Sequence, residues 1–211
     1  GFVVGATRLT KRVWQLYVAH LVLFVIYVVA IGYLAQRYSD PDILHEFNVA
    51  GLIENPIETL RQGLLLNFKP VNLDVLPLYI VLMGFFPPVL WFMLRRPDIT
   101  MLASLALYFA ARQFGWNLPA YPYGEWYFNP LCWQLLFIFG AWFALGGARE
   151  SQPIIQSRAL LYVAVAYLLF ALVMTLAGRI PAFGRLFPEW LYDAFNPNDK
   201  TYLAPYRVLH F

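Results

Sequence analysis

The residues of this chain that could do chemistry are few, and they stand at the ends of long apolar runs. Lys69, Asn72 and Asp74 follow one another closely in NFKPVNLD, placing an amine, an amide and an acid within reach of one ligand. Polar groups at such junctions often carry function, although Asp74 also sits where a helix begins and a simple cap explains it. Arg112, near the end of a later apolar run, offers a fork that can clamp a carboxylate or meet developing negative charge. Its plainer use is snorkelling to lipid headgroups. Between Phe114 and Phe128 nearly every second residue is aromatic, including Trp116, Tyr121 and Trp126. Such rings make a platform for a sugar or another flat ligand, or else the belt that marks a membrane–water boundary. His20 is the one ionisable group of the first apolar run, and an ionisable group inside a span is a functional candidate by default. No second His or carboxylate shares that run, so the simpler expectation is a neutral imidazole bonded to a neighbouring helix or placed near the headgroups.

The familiar catalytic spacings are absent: the sequence has no G-x-S-x-G, no Walker loop, no G-x-G-x-x-G and no H-E-x-x-H. His20, His45 and His210 are scattered, and the single Cys132 allows neither an internal disulfide nor a cysteine-based zinc site. Residue chemistry alone therefore names no catalytic constellation and no metal site. The net charge of +3 comes without a nucleic-acid-binding motif, so nucleic acid is not an expected partner.

The elements that must hold these residues are membrane helices. The chain is 61% hydrophobic and only 13% charged, with a mean hydropathy of +0.57, far from a soluble domain. The expected fold is an all-α polytopic transmembrane bundle in one membrane domain, residues 1–211, with about five spans over 13–35, 73–94, 99–114, 130–147 and 159–178. Asn129-Pro130 reads as the cap and first turn of the fourth span. In that span Gln134 should bond a neighbouring helix, and Gly140 with Ala144 should allow close packing. Pro87-Pro88 should kink or unwind the second span. Between the first two spans, Pro56 to Phe68 starts like a helix and puts Ile57, Leu60, Leu64, Leu65 and Phe68 at helical spacing. It is too short to cross a bilayer and reads as a helix lying on the surface. The chain opens at Gly1 without a methionine, shows no signal peptide, and stops at Phe211 in what reads as a new apolar run. The expectation is the central part of a longer polytopic protein.

Charge orients the bundle. With the N-terminus on side one, its short segments carry Arg8, Lys11, Arg12, Arg95, Arg96, Arg149 and Arg158 against only Asp98 and Glu150. Acidic residues outnumber basic ones on the other side. The Lys/Arg excess makes side one cytoplasmic and sends the aromatic loop, residues 115–129, to the periplasm.

Four strings, TKRVWQLYVAHLVLFVIYV, NFKPVNLDVLPLYIVLMGFFPPVLW, FGWNLPAYPYGEWYFNPLCWQLLFIFGAW and NPNDKTYLAPYRVLHF, resemble the OpgC family of bacterial inner-membrane proteins. The resemblance runs from Thr10 to Phe211 and rests on long polar-aromatic strings rather than generic apolar runs. It implies kinship with the wider membrane acyltransferase-3 group and an O-acyltransferase that adds succinyl groups to osmoregulated periplasmic glucans. It also implies an acyl-CoA donor, succinyl-CoA, on the cytoplasmic side, with no cofactor held in this chain. The essential histidine of such enzymes lies in an early span that would precede Gly1, so His20 is not given that role and the catalytic residue stays unknown. If the full protein is such an enzyme, side of the membrane and residue chemistry make Asn72, Asp74, Trp116, Tyr121 and Trp126 the expected contacts of the glucan acceptor, and Arg112 the group expected to meet the acyl carboxylate or the developing charge. Two other classes remain open. A non-catalytic transmembrane subunit would pack against a larger integral membrane complex. A transporter would want broken helices paired by a repeat, and Pro87-Pro88 has no counterpart.

Overall fold

The computed structural model describes residues 2–40, 42–147, 152–180, 188 and 199–210. Among the described residues the chain is helical, in the order α1 (Phe2–Tyr38), α2 (Asp42–Glu46), α3 (Gly51–Glu54), α4 (Pro56–Leu64), α5 (Val75–Met93), α6 (Pro97–Phe114), α7 (Pro130–Trp142), α8 (Gln152–Ile155), α9 (Arg158–Arg179) and α10 (Pro205–His210). A π-helical turn, Phe143–Gly147, extends α7. The expected all-α membrane bundle is what the chain forms. The first span is longer than expected because nothing between Phe2 and Val13 breaks a helix. Thr7 and Thr10 there donate their hydroxyls to the carbonyls of Val3 and Ala6 one turn back.

Among the described residues four helices are long and apolar enough to cross a membrane: Val3–Tyr38, Val75–Met93, Pro130–Gly147 and Arg158–Ala177. The third expected span, α6, is helical but is not among them, since Asp98, Ser104, Arg112 and Gln113 dilute it. Its design is nonetheless inside-out. Ile99, Leu102 and Phe109 face outward, while Ser104, Tyr108 and Ala111 are buried. The two principal helix pairs are α6 with α7 and α1 with α5, and α5 also touches α6 and α7. At the α6–α7 seam Ser104 donates to the Gln134 side-chain oxygen at 2.7 Å, and the Gln134 amide returns to the Ser104 carbonyl at 2.9 Å. Gln134 thus bonds a neighbouring helix as its position indicates.

Three sequence expectations change. Pro87 and Pro88 lie inside α5, which stays one helix from Val75 to Met93. Close to its end they free only the carbonyls of Met83 and Gly84. Gly140 faces open space, so no close helix approach is made there. The surface helix stops at Leu64, not Phe68, because Leu66 takes a left-handed φ of 64° and turns the chain back. Ile57, Leu60, Leu64 and Leu65 remain exposed, as a surface helix against lipid requires. Phe68 leaves that face and is fully buried. The inward side of α4 is small: Gly63 lies against Phe24, and the Thr59 hydroxyl donates to the Gly51 carbonyl at 2.7 Å.

Candidate functional site

At one end of the bundle the connecting segments are stitched together by their backbones. Val71 N–H donates to the Phe47 carbonyl at 3.2 Å, Tyr121 N–H to the Asn67 carbonyl at 3.0 Å, and Asn129 N–H to the Thr201 carbonyl at 3.2 Å. Segments remote in sequence are fixed in this way against the start of α5. The aromatic loop folds on itself, with Trp126 N–H bonded to the Leu118 carbonyl at 2.9 Å and Asn117 Nδ2 donating to the Trp126 carbonyl at 2.9 Å. Asn129 closes it: its side chain accepts from Leu131 N–H at 2.9 Å and donates to the Trp116 carbonyl, so the expected cap also ties the loop.

Among these segments lies an open cavity of about 650 Å³. Its lining includes Asn67, Lys69, Asn72, Asp74, Tyr121 and Tyr127. Asn48 and Lys200 reach it from the segments on either side. Lys69 is only 7% exposed, and its Nζ lies 3.4 Å from the centroid of the Trp126 ring. Asn48 Nδ2 holds the Lys69 carbonyl at 2.9 Å, which sets the backbone from which the side chain projects. Burial pushes the Lys69 amine down to about 7, against the opposing pull of the Asp74 carboxylate. Burial in turn raises Asp74 above the ordinary carboxylate range, with the Lys69 charge pulling it back. Asp74 occupies the N-cap position of α5 yet makes no capping hydrogen bond, so the cap reading is corrected. Its carboxylate is left to the cavity and to Lys69.

Of the residues singled out in the sequence, Lys69, Asn72, Asp74 and Tyr121 line this cavity. Trp126, 3% exposed, underlies it beneath Lys69, and its indole Nε1 has no hydrogen-bond partner. Arg112 and Trp116 stand apart. Arg112 donates to the Tyr202 carbonyl at 2.9 Å and lies 3.8 Å from the Asp199 carboxylate, fixing the segment before α10. Trp116 is half exposed and stacks on Phe114 with centroids 5.4 Å apart. His20 is fully buried in α1, and neither ring nitrogen has a hydrogen-bond partner among the described residues. The expected bond to a neighbouring helix is not among the bonds these residues make; the ring packs near Phe24, with centroids 6.4 Å apart. Sequence reasoning passed over Asn48, Asn67, Tyr127 and Lys200. Asn67 opens the same string as Asp74 and Tyr127 belongs to the aromatic loop, whereas Asn48 and Lys200 lie far off in sequence and only the folded loops bring them in.

Among the described residues, long apolar helices with a polar, aromatic-sided cavity between their connecting loops define a polytopic membrane protein with a candidate site at one end of its bundle. The family model described as OpgC protein matches residues 1–211, and the chain belongs to that family. No curated protein and no solved structure matches it.

Proposed function

We propose that this protein serves in the acylation of periplasmic glucans at the bacterial inner membrane, and that the cavity beside Lys69 and Asp74 faces the glucan acceptor. OpgC membership supports the reaction class. The observation that carries the choice of site is the cavity itself, where Asn67, Asn72, Asp74 and Lys69 supply donors and acceptors beside Tyr121 and Tyr127. The Lys/Arg distribution supports a cytoplasmic N-terminus, which puts the cavity on the periplasmic side. In the reaction an acceptor hydroxyl attacks the acyl carbonyl, gives up its proton and displaces the thiol of an acyl-CoA, succinyl-CoA by the resemblance. No residue of this chain is assigned the base. The test compares the substituents of periplasmic glucans in cells with and without the complete gene. Loss of anionic acyl groups on deletion is expected; an unchanged glucan would overturn the reading.

A second reading, a non-catalytic subunit beside another integral membrane complex, is favoured by α9. Only 6% of its apolar window is buried within the chain. Lipid covers such a face as readily as a partner helix does. Copurification of a larger complex with the intact protein, together with unchanged glucans on deletion, would select the subunit.

A further inference from the structure

Lys69 holds its ammonium in an unusual position. A lysine nitrogen carries three donors when charged, and buried lysines are normally paired. Among the described residues Lys69 has one hydrogen bond, a long 3.4 Å contact to the Leu66 carbonyl, besides its place over the Trp126 ring. Asp74 lines the same cavity, and its carboxylate makes no ion pair with Lys69 and no hydrogen bond to another described side chain. The two charges are close enough to shift one another's protonation, yet each retains unused hydrogen-bonding capacity toward the cavity.

The occupant that completes both groups is constrained by charge. An anion would satisfy Lys69 and be repelled by Asp74, and a cation would meet the reverse. Glu125 adds a second negative charge to the lining, its carboxylate accepting from the Tyr202 hydroxyl at 2.8 Å and from Asn117 Nδ2 at 3.2 Å, and Lys200 adds a second positive one, so the cavity carries two charges of each sign. Lys200 is exposed at the rim. A hydroxyl group, unlike an ion, accepts from an ammonium and donates to a carboxylate at once. Neighbouring hydroxyls on a ring would also reach Asn72, whose side chain is unbonded, while Tyr121 and Tyr127 offer flat apolar faces to the ring carbons. Lys69 and Asp74, we infer, form the grip by which the cavity holds an uncharged saccharide ring, Lys69 donating to a ring hydroxyl and Asp74 accepting from the same hydroxyl or its neighbour. This assignment rests on the reading of the cavity as the glucan-facing site, and it makes the pair the selector of neutral sugar over charged ligands.

The test uses the complete protein in detergent and a linear β-linked glucose oligosaccharide as probe, followed by titration calorimetry and by tryptophan emission. Wild type should bind, and Lys69→Met and Asp74→Asn should each weaken binding about tenfold or more, since each leaves its partner group unmatched. Because Lys69 lies over Trp126, binding should change the emission of wild type and leave a Trp126→Phe variant largely silent. Should Lys69→Met fail to fold, Asp74→Asn, isosteric and only partly buried, carries the measurement. Equal affinity in wild type and both variants would overturn the grip. So would binding of inorganic phosphate or acetate at the site in preference to the oligosaccharide. Loss of glucan acylation on gene deletion with affinity indifferent to both residues refutes the grip and leaves the proposed function standing. Lys69-dependent binding with unaltered glucans in the deletion strain does the opposite.

Discussion

Lys69 and Asp74 show what burial does to single residues here. An exposed lysine keeps its proton to near 10.5, whereas folded Lys69 gives it up at about 7. Across that window the unfolded chain binds the extra proton, so stability rises with pH from about 7 toward 10. Asp74 has the opposite sign: its raised value means stability lost as pH climbs through the carboxylate range, well below that window. Melting temperatures of wild type and Lys69→Met, measured between about pH 6.5 and 9, should therefore diverge, wild type gaining relative to the variant as pH rises. Parallel profiles would mean Lys69 keeps an ordinary amine. Arg112 makes a second case. Its bonds to the segment before α10 give Arg112→Ala a loss of about 1.5–3 kcal/mol in stability, the range for a hydrogen bond to a charged group, read by thermal denaturation. If glucan acylation is also unchanged at matched protein level, Arg112 leaves the list of site candidates. Polar residues at a loop–span junction were enough to mark Asn72 and Asp74 in the sequence. The burial of Lys69 was not legible, because Trp126 and Leu66 come to it from separate segments, and Arg112 gave no sign that its partners lay some 90 positions away.

At the scale of elements, apolar length and proline position carry most of the fold. Asn129-Pro130 starts α7 as read, and the ends of α5 fall within a residue or two of expectation, since the run of apolar residues and the polar flanks leave a helix little choice. What escaped were features set by tertiary contact. The end of α4 depends on a left-handed Leu66, a conformation no branched side chain favours on its own. Gly140 fits a packing motif, but among the described residues no atom lies within 4 Å of where a side chain there would begin. The Ser104–Gln134 pair across α6 and α7 should contribute modestly, as such pairs do in lipid. Gln134→Leu is expected to lower stability by about 0.6 kcal/mol and by no more than about 1.7. A double-mutant cycle with Ser104→Ala measures this, and a coupling near zero would show the seam held by packing alone.

As a whole molecule, the bundle turns many large apolar side chains of its long helices outward, as a lipid solvent requires. Tyr123 at the loop end is 85% exposed, and Arg8, Lys11 and Arg12 crowd the opposite end of α1. Cys132 is buried and is the only cysteine, so an introduced thiol can be read cleanly. Tyr123→Cys in intact cells with a permeable outer membrane should react with a membrane-impermeant maleimide, and Lys11→Cys should react only after lysis; the reverse pattern would turn the bundle over. Glucan analysis probes this orientation and the cavity together. Periplasmic glucans would be isolated from deletion cells complemented with wild type, Asp74→Asn or Lys69→Met at matched membrane levels, and their acyl substituents counted. Wild type should restore acylation, and either variant should run at an initial rate at least about tenfold lower. Full acylation by both variants would contradict a role for the cavity in acylation.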